Sequence, residues 1–149
     1  QVNHLKKGNY KLIIDNILIG SFSSKQLSHG LNLSTFKNTP QYKQAQQVRQ
    51  LCEEYRKVAF KLRVIPFIET RFLKDFNGDH SQSNLTSYLK EQLKKIEGKP
   101  FYNYMQKSME RYIGILPNRI SLENQLKTIQ EAIYEQNKSV KHKWLLVKI

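Results

Sequence analysis

Cysteine is almost missing from this sequence. Cys52 stands alone, so the chain can close no internal disulfide and offers no framework of paired thiols for zinc. Glycine is also sparse, with six residues scattered along the chain. Neither G-x-x-x-x-G-K, G-x-G-x-x-G nor G-x-S-x-G occurs, which removes the common phosphate-cradling loops and the nucleophile elbow. Long apolar runs are lacking too. Ile17–Ile19 and Trp144–Val147 fall far short of the roughly 18–20 residues that a spanning helix needs, so no membrane span is expected. Acidic residues are the last scarcity: 12 Asp and Glu stand against 25 Lys and Arg, a formal net charge of +13. Such a balance suits an anionic partner such as nucleic acid or an acidic polymer. The basic residues are nevertheless spread from Lys43 to the C-terminal tail, mostly off the apolar stripes, where a solvated face is the ordinary outcome.

What is present fits one domain over residues 1–149, divided into a hairpin and connector (1–37) and a helical region (38–149). A chain of this length can bury roughly 68–70% of its unfolded surface. Tyr10, Leu12 and Ile14 form one apolar run and Ile17 to Phe22 a second, with Asp15-Asn16 between them. Asn, and less readily Asp, tolerates the positive φ of a tight primed turn, so the pattern predicts a β-hairpin. Thr39 then stands as N-cap with Pro40 at the first helical position, where its missing N–H costs nothing.

From there the spacing predicts about four helices. Tyr42, Ala45, Val48, Cys52, Tyr55, Ala59 and Leu62 recur every three or four residues and define one long helix, about 40–64, with a face expected to be buried. Cys52 is read as a buried structural thiol on that face. Pro66 is expected to end or kink the helix. After a polar loop over 74–83, Leu85, Leu89, Leu93 and Ile96 mark a second helix over 84–96. Phe101, Met105, Met109 and Tyr112 mark a third, with Pro100 in its first turn. Leu122, Leu126, Ile129 and Ile133 mark a fourth, capped by Ser121. Beyond the basic tail, Trp144–Val147 reads as a strand that could join the hairpin or as a short extension. The fold class is thus α+β, mainly α.

Chemistry is thin. Gly78-Asp79-His80-Ser81 alone gathers nucleophile, base and acid types, but neighbours on a turn diverge, and a triad needs an imidazole bridging hydroxyl and carboxylate. A solvated loop is the expectation. His4, His29, His80 and His142 show no metal-ligand spacing, and Glu53-Glu54 point about 100° apart on a helix. Tyr102, Tyr104 and Tyr112 near Lys99, Lys107 and Arg111 mix stacking and basic groups, yet helical spacing assigns them to core and surface packing. No catalytic, metal-binding or cofactor-binding residue and no cofactor is expected.

The stretch Tyr10–Phe22 resembles the hairpin that follows the catalytic domain in SGNH/GDSL-type hydrolases of Bacteroidetes-like bacteria. Ser23–Leu33 and Asn38–Ala45 are similar to the passage from hairpin to long helix in those proteins, and Ile133–Lys143 to their close. The resemblance implies a secreted or periplasmic esterase-like parent acting on acyl groups of carbohydrates or other esters. It also implies a nucleophilic Ser in a Gly-Asp-Ser motif and an Asp-x-x-His pair, neither of which occurs in this chain. Gly20 and Asn32 inherit no oxyanion role, because the residues with that role belong to the catalytic domain. The resemblance thus leads to a non-catalytic C-terminal accessory region whose partner is an SGNH-type catalytic domain of the same polypeptide. The alternative is a free-standing basic helical module that binds nucleic acid or another polyanion. The first residue is Gln1 and no basic segment followed by an apolar run is seen, so any targeting peptide is expected to be removed or to lie outside this stretch.

Overall fold

Both residues of the Asp15-Asn16 turn take positive φ, 49° and 66°, as a primed two-residue turn requires. A computed structural model, describing residues 1–149, shows this turn joining β1 (Asn9–Ile14) to β2 (Ile17–Ser23). Tyr10, Leu12 and Ile14 point to one face and are buried, as period-2 alternation dictates. A register shift after Leu12 leaves Ile19 as the extra residue of a bulge, and its side chain is buried. Gly20 lies under the Phe22 ring, where a Cβ would come within 2.8 Å of Phe22 Cζ. The Trp144–Val147 segment is a strand, β3 (Trp144–Lys148), antiparallel to β1, giving the order β2-β1-β3.

The connector contains a helix that periodicity could not reveal in so short a run. In α1 (Ser24–His29), Ser23 and Gln26 form a reciprocal capping box, and Leu27 enters the core with Tyr10, Leu12, Ile14, Ile19 and Phe22. A 3-10 turn over Leu33–Thr35 follows. Thr39 caps α2 (Pro40–Leu62) as expected: its hydroxyl donates to the Phe36 carbonyl at 2.9 Å and accepts from Tyr42 N–H at 3.2 Å.

The remaining helices are α3 (Val64–Phe72), α4 (Gln82–Lys94), α5 (Tyr102–Ile115) and α6 (Arg119–Gln136). The α+β, mainly α class therefore holds, with hairpin, helices and C-terminal strand. The chain packs as two compact units. One comprises Gln1–Cys52 with Ala132–Ile149 and contains the sheet; the other is Glu53–Glu131. In the second, Ile65, Ile68, Leu73, Leu85, Leu89, Met109 and Tyr112 form a continuous apolar core.

Several local expectations are corrected. The break after α2 falls at Arg63, three residues before Pro66, and Ile65 is helical and buried. The missing N–H of a proline strands the carbonyl four residues earlier, so the damage appears one turn upstream while Pro66 itself sits harmlessly in the first turn of α3. Ser121 is not a cap, because α6 begins at Arg119 straight after a 3-10 turn over Leu116–Asn118. Phe101 is no core residue: it precedes α5 in a left-handed conformation (φ 71°) and is 75% exposed. Cys52 is exposed, and of the whole of α2 only Val58 is buried. Periodicity establishes which residues share a face, and burial needs something to cover that face.

Candidate functional site

The turn that closes the hairpin also receives the far end of the chain. Asp15 Oδ1 accepts from the Lys143 backbone N–H at 2.8 Å, and Asp15 Oδ2 accepts from His142 Nδ1–H at 2.6 Å. Asp15 N–H in turn donates to the Lys143 carbonyl at 3.0 Å. The His142 hydrogen bond, then the Lys143 backbone bond, hold the Asp15 carboxyl below its ordinary value. A carboxylate only accepts, so this contact places the proton on Nδ1 and leaves Nε2 as the free nitrogen. The groove beside the pair is lined by Ile17, Lys43, Gln44, Gln47, Glu135 and Lys138 among others. Gln44 Nε2 donates to the carbonyls of Gln136 and Lys138, both at 2.8 Å, and stitches the wall of that groove.

This is half of a hydrolytic constellation: an imidazole oriented by a carboxylate. The groove-lining residues contain no serine, threonine, cysteine or tyrosine that the imidazole could activate. The pair ties the entry of β3 to the hairpin turn. Sequence reasoning missed it because Asp15 and His142 are 127 positions apart. The available signal was an acidic turn residue with spare acceptors and a histidine just before a candidate strand.

Gly78-Asp79-His80-Ser81 is arranged for capping. Asp79 Oδ1 accepts from Ser81 N–H at 2.7 Å, and Ser81 Oγ accepts from Asn84 N–H at 3.4 Å at the start of α4. Hydrogen bonding from Ser81, side chain and backbone, draws the Asp79 carboxyl below its ordinary value. The His80 ring instead meets Phe76 edge-on, centroids 5.5 Å apart. The loop does not assemble a serine–histidine contact. His29 Nδ1 lies 2.7 Å from the Lys25 carbonyl within α1.

Elsewhere in Glu53–Glu131, Arg119 bridges Glu69 at 2.8 Å and Glu123 at 2.9 Å. Tyr112 is buried, and burial first, then the Glu69 charge, raises its phenol above the ordinary value, against the opposing charge of Arg119. Tyr112 is thus core, as its spacing predicted, whereas Tyr104 is exposed.

One solved structure is similar to this chain nearly from end to end: "BT4096 a gut microbial diltiazem-metabolizing enzyme". The match has a TM-score of 0.72 at 26% identity and covers 97% of this chain. It covers 32% of the other protein, so this chain spans about a third of that enzyme's length. No family model and no curated protein matches the chain. The neighbour is described by the drug it metabolizes, and this corrects the SGNH/GDSL reading, together with the esterase and lipase labels. The secreted or periplasmic location rested on that reading alone and loses its basis. The residues behind it make a primed turn, a capped helix and an amphipathic stripe. These are local solutions that any passage from hairpin to helix needs, so they do not discriminate between families.

Proposed function

We propose that this chain is a non-catalytic structural region of a larger enzyme, of the kind represented by the diltiazem-metabolizing protein. The observation that carries the reading is the asymmetry of coverage: nearly all of this chain recurs as about a third of that enzyme. The local chemistry agrees, because Asp79 and Ser81 are engaged in capping and Asp15 and His142 in tying β3 to the hairpin. The test is incubation of the purified 149-residue chain with diltiazem, followed by mass spectrometry of the drug. No consumption above buffer is expected. Turnover that disappears in His142→Ala or Ser81→Ala would place a reacting centre within this chain and refute the reading.

The polyanion-binding alternative rests on the net charge of +13. A module that neutralises several phosphates loses orders of magnitude in affinity between about 50 and 200 mM salt. Binding to single- or double-stranded nucleic acid with that salt dependence would favour it over the structural reading.

A further inference from the structure

We infer that the unit Glu53–Glu131 carries a binding cleft for a small amphipathic anion, a single carboxylate or sulfonate on an apolar body. The inference is independent of the structural reading above. The cleft follows from the break at Arg63. Phe60, Lys61 and Arg63 close one helix there, and Val64 and Phe67 open the next. Across from them α5 presents Tyr104, Ser108, Arg111 and Ile115, spaced four, three and four, so that they share one face beside the core stripe of Met105, Met109 and Tyr112. Phe67 and Tyr104 meet edge-to-face at 5.9 Å. The cleft is about 630 Å³, within the range of small-molecule sites.

Its chemistry is one-sided. Lys61, Arg63 and Arg111 line it, no carboxylate does, and none of the three takes part in an ion pair. The Arg63 guanidinium lies over the Phe60 ring, 5.8 Å from its centroid, and Phe60 is itself exposed. Ser108 is buried and its hydroxyl already donates to the Tyr104 carbonyl at 2.8 Å, so that hydroxyl's proton is taken. Apolar walls with only cations around them select an apolar body carrying negative charge. A neutral ligand leaves the cations unanswered and a cationic one is repelled. A second cleft in the same unit, about 390 Å³, shows the contrast: its apolar walls carry Lys90 together with Glu110 and no excess of one sign. Gly114 borders both, and a Cβ there meets nothing within 4 Å, so a side chain added at this position starts into open space.

The experiment uses 1-anilinonaphthalene-8-sulfonate as a fluorescent probe and laurate as competitor on the 149-residue chain, below micellar concentrations. Dodecyltrimethylammonium and dodecyl maltoside serve as the cationic and neutral controls. Laurate should displace the probe at concentrations at least about tenfold below either control, and less well at high salt. The pair Arg63→Glu and Arg111→Glu should weaken laurate about tenfold or more, with circular dichroism verifying the fold. Gly114→Leu, at an independent position, should weaken laurate by narrowing the cleft. Equal competition by all three amphiphiles overturns the inference, as does a charge-reversed variant within twofold of wild type. Displacement by a short oligonucleotide as effective as by laurate also overturns it, and assigns the cations to a polyanion.

Discussion

Replacing Ile14 by alanine tests the register of the sheet. Ile14 is 0% exposed and stands directly opposite Trp144 on β3, on the face that joins Tyr10, Leu12 and Leu27 in one core. Its neighbour Ile13 faces the other way, opposite Leu145, which is 48% exposed. Ile→Ala removes about three carbons, each worth about 0.8 kcal/mol when buried, and the cavity left behind adds to that loss. Ile14→Ala should therefore cost about 2–4 kcal/mol. Leu145→Ala, which forfeits only part of a half-exposed side chain, should cost less than about 1 kcal/mol. Urea unfolding followed by the fluorescence of Trp144, the single tryptophan, reads both variants at the strand they perturb. A one-residue slip of β3 against β1 would exchange the two faces. Equal losses, or a larger loss for Leu145→Ala, would refute the register and with it the assignment of the core face.

Phe101→Gly should stabilise the protein by about 1 kcal/mol, because a bulky side chain is held at φ 71° while largely exposed; a lower urea midpoint would contradict the strain argument. Tyr112, with its phenol raised by burial, contributes stability that is present below the ordinary tyrosine value and lost as pH rises beyond about 10. The difference in urea midpoint between wild type and Tyr112→Phe should therefore shift towards the variant from pH 9 to pH 11, and a constant difference would exclude the effect. Asp15, depressed by His142 and Lys143, acts in the opposite direction: its contribution is present above the ordinary carboxylate value and disappears as pH falls below it. The protection of β3 amides against exchange, taken relative to their intrinsic rates at each pH, should fall in acid, and Asp15→Asn should abolish most of that acid dependence.

Features governed by a few neighbouring residues were legible in the sequence. The Asp15-Asn16 turn follows from residues that tolerate positive φ, the Thr39-Pro40 start from a hydroxyl that can cap and a ring that needs no donor, and the core positions of α4 and α5 from helical spacing. Pro66 announces a break between two helices, although the break itself falls three residues earlier, at Arg63. The tertiary structure alone decided the rest. Whether Cys52 would be covered, whether Trp144–Lys148 would find β1, and whether His142 would reach Asp15 depend on segments that arrive from far along the chain. The cleft formed by Phe60, Arg63, Phe67, Tyr104 and Arg111 likewise exists only once two helices stand side by side. Local propensity selects an element within a few residues, whereas burial and pairing are properties of the neighbours that folding brings to it.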